Sequence, residues 1–184
     1  MEDSGIVALF FERSEQAIGE LDRKYGAQAR RLAVNILGDR GDAEECVNDA
    51  YLAVWSTIPP KLPASLGGYF CRIARNIAAK RYRANAAQKR NSHYDAALDE
   101  LAETLAAPGG PESALDAKEL TAAIDRFLDG LSDGDRYLFL RRYWFGDDLA
   151  ALADRTGLGR RRTSVRLFRI RDKLRQYLMK EGLL

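Results

Sequence analysis

The basic segment 160–175 holds the side chains with the clearest chemistry in this sequence. It carries eight Lys and Arg residues against a single acid, Asp172. Guanidinium groups bind phosphate oxygens and the O6/N7 edge of guanine, so such a segment suits DNA. A basic run can also be only the solvated face of a helix, and the spacing of its apolar residues helps to decide between the two interpretations.

That spacing favours a DNA-reading helix. Thr163, Leu167, Ile170 and Leu174 share one helix face, which we predict to be buried. The opposite face carries Arg161, Arg162, Val165 and Arg169. Upstream, residues 149–153 predict a short helix that Asp147 or Asp148 would cap, and Gly157 stands where a tight turn is needed. The pattern is that of a helix-turn-helix whose second helix reads DNA.

A second segment interleaves aromatic, amide and basic side chains between Tyr69 and Arg83. Rings stack on exposed bases while cations follow the backbone, so this mixture suits unpaired nucleic acid. The other interpretation is that Phe70 and Tyr82 belong to the core and the cations keep the outer face soluble. This helix alone does not separate the two.

Catalysis finds little support in the sequence. The single histidine, His93, has no plausible triad or metal partner, and there is no P-loop, His-Glu-x-x-His motif or CxxC pair. Consecutive acids such as Glu44 and Glu45 point about 100° apart on a helix and do not converge on a substrate. We therefore expect no enzyme activity, no metal site and no cofactor.

Composition and charge set the general class of the protein. The 184 residues have a net charge of +2, which conceals a separation of charge, since residues 91–117 contain six acids and no Lys or Arg. Cys46 and Cys71 fit reduced core thiols, and the longest apolar run, Ile6–Phe11, is too short to span a bilayer. We expect a cytoplasmic protein without membrane insertion.

Helical periodicity dominates, and we predict an all-α fold of two small domains joined by a flexible acidic linker. In the first domain, residues 1–87, one helix would run from a Ser14 cap to Gly38, the next from Asp42 to Thr57, and a third from Tyr69 to Ala87 with Phe70, Ile73, Ala74 and Ile77 inward. Residues 88–113 form the linker, with a transient helix at most around 96–105. The second domain, residues 114–184, contains four helices, with a capping box at Ser132.

Taken together, the chain resembles the bacterial RNA polymerase sigma factors of the extracytoplasmic-function (ECF) type, in the sigma-70 family. The resemblance covers nearly the whole sequence. It rests on four motifs in order, Asp42–Trp55, Tyr69–Asn76, Leu131–Leu140 and Leu167–Arg175.

The resemblance implies three sets of contacts. The acidic helix would dock on the clamp of the largest polymerase subunit, through Asp42, Glu45, Asn48, Asp49 and Trp55. Base capture at the minus-ten element would occur in the loop between about Thr57 and Gly68. The helix behind it would bind this element through Tyr69, Arg72, Arg75, Asn76, Lys80 and Arg83. The helix-turn-helix would read the minus-thirty-five element through Arg160, Arg161, Arg162, Ser164, Val165, Arg166 and Arg169, and would also touch the flap of the second-largest subunit.

The linker in this family threads towards the active cleft of the polymerase and its RNA exit channel. Asp95, Asp99, Glu100 and Glu103 would there imitate the charge of nucleic acid. A linker of this length would also permit an anti-sigma factor to hold the two domains, although the sequence names none. Tyr69 stands where the family often has Trp, Lys80 where Asp is frequent, and Asn48 where Gln is usual.

A stand-alone helix-turn-helix regulator is the main rival interpretation, because its DNA-reading half would look the same. The first domain distinguishes the two classes. A regulator would need a ligand pocket or a dimer surface there, whereas an acidic docking helix followed by an aromatic and basic helix suits polymerase attachment and strand opening.

Overall fold

The computed structural model describes residues 1–85, 92–106 and 114–184, and every regular element in these ranges is helical. This confirms the all-α prediction. The chain divides into two compact units, residues 1–91 and residues 92–184. The expected end of the third helix at Ala87 and the expected linker stretches 88–91 and 107–113 lie outside the described residues.

The N-terminal unit packs three long helices with shorter ones before them. Its elements are α1 Asp3–Phe11, α2 Gln16–Leu21, a π-helical turn Asp22–Gly26, α3 Ala27–Leu37, α4 Arg40–Thr57 and α5 Leu66–Asn85. Helices α3, α4 and α5 pack against one another around Leu32, Val47, Val54 and Phe70, all essentially without exposure. Their apolar faces therefore form the core that sequence periodicity predicts.

The start of this unit differs from the expectation. Residues 3–11 form α1, which we had not predicted, and its Ile6, Val7 and Phe10 are buried. The single helix expected from Ser14 to Gly38 is interrupted by the π-helical turn, and α2 has no side-chain cap. The interruption lets Asp22 accept hydrogen bonds from Tyr51 at 2.6 Å and Arg30 at 2.5 Å. Such long-range partners are invisible to local periodicity.

Helix ends follow the expected chemistry more closely. Gly38 ends α3 in the left-handed conformation at φ 70°, and Asp39 caps α4 by accepting from the Asp42 amide at 2.9 Å. Helix α5 starts three residues earlier than predicted, at Leu66. Its Ile73 and Ile77 are only half-buried, so the inward face is instead Leu66, Gly67, Phe70, Cys71, Ala74 and Ala78.

The C-terminal unit contains α6 Ser92–Leu105, α7 Ala114–Asp129, α8 Asp133–Phe139, a π-helical turn Leu140–Trp144, α9 Leu149–Thr156 and α10 Arg160–Lys180. Leu167, Ile170 and Leu174 of α10 are buried in its core, as predicted. Thr163 is buried with them, and its hydroxyl lies 3.4 Å from the Gly159 carbonyl of the preceding turn, which satisfies it.

The caps of the helix-turn-helix are resolved by the structure. Asp148, rather than Asp147, caps α9, accepting from the Ala151 amide at 2.7 Å. Asp147 is buried instead, with an Oδ2 atom 2.5 Å from Arg141. Gly157 ends α9 at φ 66°, and Ser132 caps α8 by accepting from the Asp135 amide. Both positions therefore match the sequence interpretation.

Part of the segment that we expected to be a linker is a packed helix. Helix α6 has Tyr94 and Ala97 buried, with Leu101 and Leu105 against the core of the C-terminal unit. These residues recur at helical spacing within a strongly acidic stretch. The acidic residues of this stretch therefore share the helix with an apolar stripe, which the composition alone does not reveal.

Candidate functional site

One face of α10 gathers most of the residues that we predicted to read DNA. Arg161, Arg162, Val165 and Arg169 are exposed and line a shallow groove that Leu158 and Lys173 complete. The buried stripe on the opposite side fixes this face outward. The groove therefore offers three exposed guanidinium groups beside the apolar side chains of Val165 and Leu158, a combination suited to phosphates, guanine edges and thymine methyl groups.

Arg166 belongs to the same groove but is held by its own unit. Its Nε atom donates to Asp135 of α8 at 2.6 Å. A Cβ on Gly134 would come within 2.8 Å of the Arg166 Nη2 atom, so the glycine makes room for this arrangement. Arg166 thus ties α8 to α10, and its guanidinium is less available than those of Arg161, Arg162 and Arg169.

Arg160 and Ser164 are exposed but lie on another side of α10, outside the groove. That side continues to Phe168, which is 62% exposed and has the Arg171 guanidinium 6.0 Å from its ring centre. Sequence reasoning missed Phe168, although an aromatic residue next to Arg169 on a basic helix was the available signal.

On a helical wheel, most of the residues of α5 that we predicted to bind nucleic acid fall along one stripe of the helix surface. Five of the six predicted residues share it, whereas Arg75 lies about 60° beyond its edge. Arg72, Asn76, Lys80 and Arg83 are exposed, and Tyr69 is half-buried. The members of this stripe are Tyr69, Arg72, Asn76, Lys80 and Arg83.

Tyr69 is positioned at the head of that stripe. Its hydroxyl lies 2.9 Å from the Thr57 Oγ1 atom, and the Arg72 guanidinium lies 5.6 Å from its ring centre. The Ser65 hydroxyl accepts from the Gly68 amide at 3.2 Å, which caps the helix start. In the preceding loop Leu62 is 74% exposed. This end of α5 therefore presents a ring, a cation and an apolar loop side chain.

The exposed face of α4 carries three of the predicted docking residues, Glu45, Asn48 and Asp49. Leu52 lies on the same face and is 63% exposed. Sequence reasoning did not single out this leucine. The exposed face therefore combines one apolar side chain with two acids and an amide.

Asp42 and Trp55, the other two predicted docking residues, are partly engaged within the unit, and so is Glu45. Arg81 of α5 forms an ion pair with Glu45 and donates to the Asp42 carbonyl at 3.2 Å. The hydrogen bond to Glu45 raises the pKa of Arg81, which stays charged. Trp55 is half-buried, with its ring 6.0 Å from Phe10 and the Arg13 guanidinium 5.4 Å from it. Trp55 therefore anchors α1 onto α4.

No described helix is long and apolar enough to cross a membrane. Among the described residues, no group of three or more His, Cys, Asp or Glu side chains is arranged to hold a metal ion.

Comparisons with known proteins bear on the N-terminal unit. Residues 21–88 match the family model described as sigma-70 region 2. A solved structure described as CnrH in complex with the cytosolic domain of CnrY is 20% identical, covers 97% of each chain and has a TM-score of 0.46. The curated proteins give no significant match. The family match thus falls on the helices that carry the acidic face and the Tyr69–Arg83 stripe.

Proposed function

We propose that the chain is a sigma factor of the ECF type in the sigma-70 family, because residues 21–88 match the sigma-70 region 2 model. It binds core RNA polymerase and directs initiation at promoters with minus-ten and minus-thirty-five elements. The family match over α3, α4 and α5 is the observation that carries the proposal.

Attachment to the polymerase uses the exposed face of α4. Glu45 and Asp49 steer this face to a basic surface on the largest subunit, since complementary charge speeds the encounter and fixes its register. Asn48 adds a neutral amide that can donate and accept hydrogen bonds. Leu52 supplies the apolar contact at the centre. In this arrangement Asp42 and Trp55 stabilise the face from behind, because both are engaged with other helices of the unit.

Promoter opening uses the stripe of α5 and the loop before it. Arg72, Lys80 and Arg83 follow the phosphates of the separated strand, and Asn76 offers both a donor and an acceptor to a base. A base that leaves the duplex enters the loop between Thr57 and Gly68. There the Tyr69 ring stacks on the base and Leu62 makes an apolar contact with it. Unstacking costs a few kcal/mol, which these contacts offset.

The second grip on the promoter is the groove of α10. Arg161, Arg162 and Arg169 reach guanine edges or phosphates in the major groove, and Val165 contacts an apolar base edge. Arg160 and Ser164, on the other side of the helix, contact the flanking backbone. We propose in addition that the helix-turn-helix contacts the polymerase flap, that an anti-sigma factor binds the protein, and that the protein acts in the cytoplasm.

Reconstituted transcription tests it. Purified protein is mixed with a compatible bacterial core polymerase, and the complex is assayed for binding and for initiation on promoters found by mapping start sites after overexpression. We expect a stable complex and initiation that depends on both promoter elements. A folded protein that binds duplex promoter DNA tightly by itself and ignores the polymerase would instead be a stand-alone regulator.

A further inference from the structure

The C-terminal unit contains a polar site that the proposed reading of DNA does not use. Glu100 of α6 accepts three hydrogen bonds, from Arg142 Nη2 at 3.0 Å, the Tyr143 hydroxyl at 2.8 Å and Arg171 Nη1 at 2.8 Å. Arg171 also donates to the Tyr143 hydroxyl at 2.6 Å. Two guanidinium groups and a phenol thus surround a single carboxylate.

The site is built into the framework of the unit. Arg142 is 2% exposed, and its Nη1 atom donates to the Asp147 carbonyl at 3.1 Å, next to the residue that caps α9. Arg142 and Tyr143 both lie in the π-helical turn Leu140–Trp144, and Arg171 lies on α10. π-Helical turns are rare and often occur at functional sites. All three donors are therefore held in place by elements other than α6.

The electrostatics favour an ionised carboxylate in this position. Burial alone would raise the pKa of Glu100, but the hydrogen bonds from Arg142 and Tyr143 and the charge of Arg171 outweigh it and hold the pKa below its usual value. Removing the carboxylate would leave the buried Arg142 without this counter-charge, which is costly in a low-dielectric interior.

We propose that Arg142, Tyr143 and Arg171 form a carboxylate-binding site that Glu100 occupies. We propose further that this site is a releasable latch for helix α6. While α6 is docked, the acidic segment is held on the C-terminal unit. Release supplies the extended chain that enters the polymerase. The latch therefore sets how readily the free protein adopts the form that binds the polymerase, and in this respect it rests on the proposed function.

The contacts of α6 suit a helix that docks as a separate element. Besides Glu100, it is held by Ala97, Leu101 and Leu105 against the core of the unit and by a hydrogen bond from Arg175 to the Glu103 carbonyl at 3.3 Å. It packs mainly against α10 and the π-helical turn, at the edge of the core that Leu138, Leu152 and Leu167 of the other helices fill. Loss of the Glu100 anchor is then expected to loosen α6 before it loosens the helix-turn-helix.

Hydrogen exchange of the full-length free protein tests the site. Glu100→Gln keeps the shape but weakens three charge-assisted hydrogen bonds, and we expect amide protection of residues 94–105 to fall by about 10- to 100-fold. Asp99→Asn is the matched control, because it removes the same charge from an exposed neighbour on α6 and should leave protection unchanged. Full protection of α6 in the Glu100→Gln protein would overturn the site.

A second variant covers the case in which Glu100→Gln loosens the whole unit. Tyr143→Phe removes one hydroxyl and keeps the buried ring, so its effect should be smaller and confined to α6. Protection lost to the same extent across α6, α8, α9 and α10 in this variant would show that α6 is an inseparable part of the core, which overturns the latch.

Binding to core polymerase tests the regulatory consequence. If docking of α6 competes with the bound form, Glu100→Gln should bind core about tenfold more tightly than the wild type, because less of the free protein is latched. Glu119→Gln, which removes an exposed carboxylate from α7 outside every proposed contact, should bind as the wild type does. Equal affinities, with α6 shown to be loosened, would overturn the latch alone. Failure of the folded wild type to bind core would overturn the proposed function instead.

Discussion

The charged and apolar side chains of each unit divide into those that are paired within their own unit and those that are exposed to partners. Arg166 is committed to Asp135, and Arg81 to Glu45 and the Asp42 carbonyl. Arg169 and Leu52, by contrast, are exposed on faces whose opposite sides are buried. A charge that already has an internal partner gives less to a new one, because its existing hydrogen bonds must be broken first.

Replacement of Arg169 tests the DNA-reading face. We expect Arg169→Ala to weaken binding of the holoenzyme to the minus-thirty-five element by about 1 to 3 kcal/mol and to relax preference at one base pair, as loss of a bidentate guanine contact does. Arg160→Ala, on the other side of α10, should weaken binding to all sequences alike. The measurement is binding to a set of single-base promoter variants at several salt concentrations. A changed salt slope with unchanged preference would make Arg169 a phosphate contact.

Replacement of Leu52 tests the docking face of α4. Leu52→Ser should lower affinity for core polymerase by about 1 to 2 kcal/mol, because an exposed apolar centre loses its contact, while the thermal unfolding temperature stays nearly unchanged. Leu62→Ser is the control, since Leu62 is similarly exposed but lies in the loop before α5. It should retain core affinity and reduce promoter opening. Equal effects of both variants on core binding would contradict a specific role of Leu52.

At the scale of elements, close approaches between helices decide where the functional faces stand. A Cβ on Gly67 would lie 2.5 Å from the Tyr25 ring, so the start of α5 depends on a glycine there. Tyr25 in turn donates to Asp3 of α1 at 2.7 Å. The stripe that begins at Tyr69 therefore takes its position from contacts with residues far away in sequence.

A pair of glycine variants tests this dependence. Gly67→Ala should destabilise the protein by about 1 to 3 kcal/mol, because the new methyl group overlaps a ring that can move only by breaking other contacts. Gly19→Ala, in α2, meets no atom within 4 Å and should stabilise by about 0.4 to 1 kcal/mol. Urea unfolding followed by circular dichroism measures both. If Gly67→Ala left the free energy of unfolding unchanged, the Tyr25 ring would have moved aside without a measurable cost.

At the scale of the whole molecule, the boundary between the units lies at residues 91 and 92, ahead of α6. The sequence interpretation placed the start of the second domain at residue 114 instead. Helix α6 contributes Ala97, Leu101 and Leu105 to the core of the C-terminal unit, together with Glu100 as the counter-charge of Arg142. A fragment that omits α6 would expose these contacts to water.

Two fragments test the boundary. We expect residues 92–184 to unfold cooperatively and residues 114–184 to keep helical structure but to melt at least several degrees lower, because about 1 kcal/mol shifts the midpoint of so small a domain by 4–8 °C. Thermal unfolding followed by circular dichroism compares them. Identical midpoints would mean that α6 adds no stability.

Acid should weaken both units. The pKa of Asp3 is lowered by hydrogen bonds from Lys24 and Tyr25, and that of Asp22 by its hydrogen bond from Tyr51 and, against burial, by Arg30. The pKa of Glu100 is lowered as well. Carboxylates with lowered folded-state pKa values stabilise the fold fully above the ordinary carboxyl range, and this stabilisation is lost as the pH falls through the lowered values. Urea midpoints should therefore drop between about pH 5 and pH 2, and a flat profile would contradict the ion pairs.

Local patterns in the sequence determined the helical class, the helix-turn-helix with its Gly157 turn and the buried stripe of α10. They did so because helix period, caps and turns depend on near neighbours. Only the tertiary structure decided that Asp148 caps α9 while Asp147 is buried, that Arg166 is held by Asp135, and that Glu100 anchors α6 to Arg142 and Arg171. These pairings join residues from different elements, and their energy depends on burial and geometry that spacing along the chain does not contain.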